Sequence, residues 1–150
     1  MEPDADTRFV ELVEQLMRSA VGLTSRAFAD CGPDADLPLQ QWRALAVVME
    51  SGSSGVPVGQ LGRRLGVATS GASRVVARLE RRGLVTLRRG VTDRRTALVH
   101  PTDEGRQLWT TIVERRRALI RAALAAAEPT VEPVATNVIE ALVVAFASEV

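Results

Sequence analysis

Apolar residues recur at helical spacing over most of the chain. This pattern predicts six helices, at about residues 5–29, 38–50, 57–65, 69–82, 102–127 and from 130 onward. In the second helix, the inner face is predicted to consist of Leu39, Trp42, Leu45, Ala46 and Met49. Two stretches read instead as strands, 84–88 and 96–100, with 89–95 as the connecting loop. The chain is therefore predicted to be mainly α (α+β), with one β-hairpin.

Local signals support the limits of the central elements. Gly66 and Gly83 are predicted to end the third and fourth helices, because glycine readily adopts the left-handed conformation that closes a helix. Thr102 is a good N-cap for the fifth helix, and the acids Asp103 and Glu104 suit its first turn. Gly62 in the third helix is small, which would ease the crossing of this helix with another.

The composition is that of a folded globular protein, with 46% hydrophobic and 25% charged residues. No apolar run is long enough to span a membrane, and no secretory signal precedes the first helix, so we expect a cytoplasmic protein. One cysteine and one histidine argue against a disulfide framework, a metal site and a His-based catalytic arrangement. No cofactor and no enzymatic activity are expected.

Charge is concentrated in the middle of the chain. Residues 57–95 hold ten arginines against two acids, whereas residues 1–56 have a net charge of −5 and residues 96–150 a net charge of −2. A basic block between acidic flanks is typical of a surface that binds nucleic acid, although a solvated charged face has the same composition.

The third and fourth helices, joined by a tight turn at 66–68, match a helix-turn-helix whose second helix enters the major groove of DNA. The predicted exposed residues of this recognition helix are Thr69, Ser70, Ser73, Arg74 and Arg78. Small hydroxyls allow close approach, and Arg74 can bond to guanine or phosphate. Other arginines nearby, at 63, 64, 81 and 82, are candidate phosphate clamps or solubilising charges.

The hairpin that follows is basic at its tip. We predict that it reaches the adjacent minor groove with Arg88, Arg89, Arg94 and Arg95, while Asp93 orients a neighbouring guanidinium. An ordinary solvated turn is the alternative.

Three runs resemble the MarR family of winged-helix regulators. They are LPLQQWRAL in the second helix, TSGASRVVARLERRGLV in the fourth and DRRTALVHPTDEG across the hairpin. The resemblance implies a winged helix-turn-helix with a two-stranded β-wing, flanked by long dimerisation helices, and implies that Asp93 orients Arg95 toward the minor groove. Where that family often has a serine cap, this chain has Ala68, so we expect capping to shift to Thr69.

The terminal helices have wide apolar arcs that the small central region cannot cover. A two-fold homodimer would bury them, as would an intrachain bundle of the first, fifth and sixth helices. We predict one compact chain with three regions: an N-terminal dimerisation helix and loop at 1–36, the DNA-binding winged helix at 37–101 and C-terminal dimerisation helices at 102–150.

Relatives in the family often bind small aromatic or anionic effectors. The candidate lining residues in this chain are Leu16, Trp42, Arg43, Met49 and Trp109, although tryptophan and methionine at helical spacing normally fill cores, which favours core packing for all of them except Arg43. Cys31 could act as an oxidant sensor, but the sequence offers nothing near it that would stabilise a thiolate.

Two functions remain after these exclusions. The first is a homodimeric regulator that binds a palindromic operator in double-stranded DNA and represses until a small ligand releases it. The second is a winged-helix protein-interaction module whose basic face binds an acidic partner.

Overall fold

The computed structural model describes residues 4–31, 37–89, 97–127 and 133–148 of the 150-residue chain. Its elements are α1 (Ala5–Asp30), α2 (Leu39–Glu50), β1 (Val56–Pro57), α3 (Val58–Leu65), α4 (Thr69–Arg81), β2 (Val85–Arg89), β3 (Ala97–Pro101), α5 (Asp103–Ala127) and α6 (Pro133–Ser148). The six predicted helices and both predicted strands are confirmed. The fold is mainly α with a small β-wing, as predicted.

The sheet has a third strand that the sequence pattern does not reveal. β1 pairs antiparallel with β3, with Val56 opposite Val99 and Pro57 opposite Leu98, and the strand order is β1-β3-β2. The prediction that Pro57 opens the third helix is therefore wrong by one residue. A two-residue strand is too short to show alternation, and proline is tolerated in it because β1 lies at an edge of the sheet.

Both helices of the helix-turn-helix end in a left-handed glycine, as predicted. At the end of α4, the Gly83 N–H donates to the Glu80 carbonyl (2.9 Å) and the Leu84 N–H donates to the Leu79 carbonyl (3.0 Å). Gly83 has a φ of 71°, and Gly66 closes α3 with a φ of 69°. The paired bonds form a Schellman motif, which ends α4 and leads directly into β2.

The chain divides into two compact units. One contains α1 and the 111–126 half of α5, and an ion pair between Arg115 and Asp30 (2.7 Å) joins these helices. Thr24, Ala27 and Phe28 on α1 are buried.

The other unit contains residues 37–110 and α6. Its largest fully buried side chains come from α2, α3, α4, β2 and β3 and are Leu45, Val48, Leu61, Val76, Leu79, Val85 and Val99. This core supports both the helix-turn-helix and the base of the hairpin.

The predicted inner face of α2 is only partly right. Trp42 and Leu45 are buried as expected, but Leu39 is 49% exposed and Met49 is half-buried. The buried set instead continues round the helix and comprises Gln41, Trp42, Ala44, Leu45, Val47 and Val48. α2 packs against α3, α4 and β3, so its buried arc is wider than a single stripe.

Candidate nucleic-acid interface

The helix α4 presents one polar arc to solvent and buries the other side. All five predicted recognition residues are exposed, namely Thr69, Ser70, Ser73, Arg74 and Arg78. The opposite side, formed by Ala72, Val75, Val76 and Leu79, is buried. α4 is thus anchored by its apolar stripe, and its hydroxyl and guanidinium groups remain available to a partner.

One of these hydroxyls has a restricted role. The Ser73 hydroxyl donates to the Thr69 carbonyl at 2.9 Å, so its proton is used within the helix. Its oxygen still has acceptor capacity. Toward a nucleic acid, Ser73 is therefore suited to accept a hydrogen bond, for example from a base amino group.

The crossing of α3 and α4 depends on a small residue at Gly62. A Cβ built at this position would lie 3.0 Å from the Val67 carbonyl oxygen and 3.5 Å from the Ala72 Cβ. The expectation that a small residue eases this crossing is confirmed. At Gly59, on the same helix, an added Cβ would meet nothing within 4 Å, so Gly59 has no such packing role.

No side chain caps the amino end of α4. Its N-cap residue is Ala68, in extended backbone (φ −61°, ψ 154°), and Thr69 is the first residue of the helix. The expectation that capping shifts to Thr69 is therefore wrong. A helical residue cannot take the extended N-cap conformation, and the Ala68 carbonyl already accepts the first helical bond, from Ala72.

We expect Ala68→Ser to stabilise the protein, because a serine hydroxyl there can accept the free N–H at position 71. The gain should be about 1 kcal/mol in the free energy of unfolding, measured by urea denaturation. Ala77→Ser is the matched control, since Ala77 is exposed in the interior of α4 and serine is a weaker helix former than alanine. If Ala68→Ser were no more stable than Ala77→Ser, the helix end would not be limited by capping.

The base of the hairpin has a defined register, because β2 pairs with the central strand β3. β2 and β3 pair antiparallel from Val85 opposite Pro101 to Arg89 opposite Ala97. Arg88 is exposed near the end of this ladder. The Arg89 side chain and residues 90–96, which include Asp93, Arg94 and Arg95, lie outside the described part of the structure. Their predicted roles in the wing stay predictions.

The start of α5 is joined closely to the junction between α4 and β2. The Thr102 hydroxyl accepts from the Gly105 N–H (3.0 Å), which confirms the predicted N-cap, and donates to the Gly83 carbonyl (2.5 Å). The Thr102 N–H donates to the Leu84 carbonyl (3.1 Å). A Cβ at Gly105 would collide with that same carbonyl oxygen. Sequence reasoning did not identify Gly105 as a packing residue, although the run Thr-x-x-Gly contains it.

The candidate phosphate clamps are not equivalent. Arg63 is exposed, whereas Arg64 forms an ion pair with Glu50 at 2.5 Å. The Arg81 Nε donates to the Ala77 carbonyl of its own helix (3.4 Å). A phosphate would have to compete with Glu50 for Arg64, so Arg63 is better placed to act as a clamp.

The candidate effector residues are brought together only in part. The indole rings of Trp42 and Trp109 stack with centroids 4.4 Å apart and an interplanar angle of 19°. Met49 is half-buried and Arg43 is exposed in the same unit, while Leu16 belongs to the other unit and is 60% exposed. The effector pocket therefore stays a prediction, and the tryptophan pair is its strongest element.

The described residues contain neither a cluster of three or more His, Cys, Asp or Glu side chains that could hold a metal ion nor a helix long and apolar enough to cross a membrane.

The central part of the chain resembles a known protein family. A family model described as "MarR family" matches residues 35–96, which contain α2, α3, α4 and β2. The solved structure of a MarR family transcriptional regulator from Rhodococcus sp. RHA1 has the same fold, with a TM-score of 0.68 over 94% of each chain at 21% identity. Residues 35–96 are therefore similar to the MarR family. The MarR segment thus covers the helix-turn-helix and the first strand of the wing, the region that holds most of the arginines.

A curated protein also matches part of the chain. The transcriptional activatory protein BadR of Rhodopseudomonas palustris is 34% identical over 79 residues, which are 52% of this chain and 45% of BadR. The match therefore spans less than half the length of that protein.

The structure of CouR from Rhodococcus jostii RHA1, bound to p-coumaroyl-CoA, also resembles this chain. Its TM-score is 0.70, at 23% identity over 94% of this chain and 93% of CouR. This likeness shows that the two proteins share their fold over almost the whole chain.

Proposed function

We propose that this protein is a transcriptional regulator that binds double-stranded DNA in a sequence-specific manner. The observation that carries the proposal is the exposed arc of α4, where three small hydroxyl residues and two arginines lie opposite a fully packed apolar stripe. A helix anchored in this way can enter a major groove, which is wide enough for one helix. The match of residues 35–96 to the MarR family model supports the same function.

In this proposal the exposed arginines and hydroxyls make different contacts with DNA. Arg74 bonds to a guanine edge or a phosphate, and the hydroxyls of Thr69, Ser70 and Ser73 allow the helix backbone to approach the bases. Arg78 contacts the phosphate backbone. At the wing, Arg88, Arg89 and Arg94 contribute positive charge near the adjacent minor groove. Asp93 orients Arg95 toward that groove.

We propose further that the protein is a homodimer. The described parts of α1 and α6 expose large apolar side chains, namely Phe9, Val10, Leu12, Leu16, Met17 and Val21 on α1 and Val138, Ile139, Val143 and Val144 on α6. Several large apolar side chains exposed on one helix are typical of an interface. The proposal assigns dimerisation to residues 1–36 and 102–150 and DNA binding to 37–101.

The expected solution mass is twice the 16.2 kDa of one chain. We expect Val143→Arg, at a position 62% exposed on α6, to shift the protein toward monomer in light scattering at micromolar concentration, because a charge would be buried in the interface. Ala77→Arg, at an exposed position on α4 outside the proposed dimerisation regions, is the control for an added surface charge. A wild-type monomer at all concentrations would contradict the proposal.

The regulation proposed is repression in the cytoplasm, relieved by a small aromatic or anionic effector that binds near Trp42, Trp109, Met49, Arg43 and Leu16. The stacked indole rings favour a flat aromatic ligand, and CouR was crystallised with an aromatic thioester. Titration of hydroxycinnamates and benzoates with tryptophan fluorescence as the readout tests this part.

The alternative is a winged-helix module whose basic face binds an acidic protein. Selection of bound duplexes from a random-sequence pool separates the two functions. The regulator is expected to enrich a palindrome with half-sites about one helical turn apart, and its affinity should fall steeply with salt. If no sequence were enriched at modest salt, the regulator proposal would fail.

A further inference from the structure

The side chain of Glu80 links the recognition helix α4 to the outer edge of strand β2 in the wing. The Leu87 N–H in β2 donates to the Glu80 Oε1 at 3.3 Å, across seven residues of chain. β2 is an edge strand in the order β1-β3-β2, so no strand of the described residues lies beside its outer backbone groups. The Glu80 carboxylate, from the last turn of α4, therefore satisfies a backbone donor where a fourth strand would otherwise do so.

We propose that Glu80 is a positioning residue that sets the angle of the wing relative to the recognition helix. This inference rests on the proposed function, since it concerns how two DNA-binding elements are held together. Arg88 and Arg89 follow Leu87 directly, so the bond at Leu87 is placed at the point where the hairpin begins to present its arginines. The Schellman turn at Gly83 fixes the other end of the same short segment.

The negative charge of Glu80 is expected to lower the affinity for DNA. Residues 57–95 contain only two acids, Glu80 and Asp93, among ten arginines. A carboxylate close to phosphates weakens binding by repulsion, so charge alone predicts that any neutral residue at 80 would raise the affinity. A positioning role predicts instead that the result depends on whether the neutral residue can still accept the Leu87 N–H.

Glu80→Gln and Glu80→Ala separate these effects, because both remove the charge and only glutamine keeps an acceptor oxygen. The probe is the duplex recovered by wild-type protein from the random pool. We expect Glu80→Gln to bind it at least as tightly as wild type. Glu80→Ala should bind about fivefold more weakly than Glu80→Gln, the factor that corresponds to one net hydrogen bond of about 1 kcal/mol.

Two further readouts identify the cause. In the free protein, the Leu87 amide should exchange with solvent faster in Glu80→Ala than in Glu80→Gln, since only alanine leaves it without an acceptor. With DNA, Glu80→Ala should have a shallower salt dependence because wing arginines are displaced, while its preference among half-site variants is unchanged because α4 stays in place.

The same pair of substitutions at Glu114 is the control. Glu114 lies on α5 outside the basic segment and pairs with Arg117 (2.6 Å), so alanine and glutamine there should give equal DNA affinities. Equal affinities of the two Glu80 variants would overturn the positioning role. If wild-type protein selects no duplex, the proposed function itself fails, which is a different result.

Discussion

Gly105→Ala is expected to destabilise the protein strongly, although it adds only one methyl group. The new Cβ would collide with the Leu84 carbonyl oxygen and lie 3.0 Å from the Leu84 carbonyl carbon. That oxygen also accepts the Thr102 N–H, so moving it away breaks a bond at the start of α5. Overpacking against a backbone atom should cost about 3 kcal/mol in the free energy of unfolding, which outweighs the roughly 1 kcal/mol that alanine gains over glycine in a helix.

The measurement is the urea midpoint and slope of each variant, followed by circular dichroism. Gly59→Ala is the matched control, because a Cβ there meets nothing within 4 Å and the substitution should stabilise by up to about 1 kcal/mol. The two variants should therefore move the midpoint in opposite directions. A Gly105→Ala protein as stable as wild type would contradict the close approach of α5 to the Leu84 carbonyl.

Arg74→Ala is expected to have the largest effect on DNA recognition. Arg74 is exposed on the amino-terminal half of α4, where base edges are usually contacted. Loss of a bidentate contact should reduce the discrimination between the selected duplex and a scrambled duplex by about 1–3 kcal/mol, which is roughly 5- to 150-fold. The measurement is the ratio of the two dissociation constants, obtained by fluorescence anisotropy at fixed salt.

Substitutions at two other arginines serve as controls, because they separate a base contact from a phosphate contact and from the loss of an unrelated charge. Arg63→Ala, at an exposed position on α3, should weaken binding to both duplexes about equally, as expected for a phosphate contact. Arg117→Ala lies outside the basic segment and should change neither constant. If Arg74→Ala lowered the two affinities by the same factor, Arg74 would contact only the backbone.

The central part of the fold could be predicted because its signals are local. Gly66, Gly83 and Thr102 each fix a helix end by their own backbone or hydroxyl chemistry, and all three positions are confirmed. The buried stripe of α4 is equally clear from its spacing. The exposure of the five recognition residues follows from that stripe.

The errors arise where tertiary context decides. β1 has two residues and exists only because β3 lies beside it. The buried arc of α2 is wider than its apolar pattern because three elements surround the helix, which buries even Gln41 and leaves Leu39 exposed. Gly105 shows the same limit, since its importance depends on the carbonyl of Leu84, far earlier in the chain.

Only some features of the candidate site could be predicted from the sequence. The predicted exposure of the polar side of α4 is confirmed, while its contact with DNA is a proposal. The tether between Glu80 and Leu87 could not be inferred from sequence, because a glutamate in the last turn of a basic helix has many equivalent partners before the strand is placed. For Asp93, Arg94 and Arg95, the assignment rests on the motif DRRTALVHPTDEG.

The central claim is that α4 reads base edges in the major groove, and replacement of purines by 7-deazapurines in the selected duplex tests it most directly. This change removes the N7 acceptor from the major groove and leaves the backbone and minor groove intact. The account predicts that substitution within the half-sites weakens binding at least about tenfold, as for the loss of one base contact, whereas substitution in the flanks has no effect. Unchanged affinity with deazapurines throughout both half-sites would contradict it.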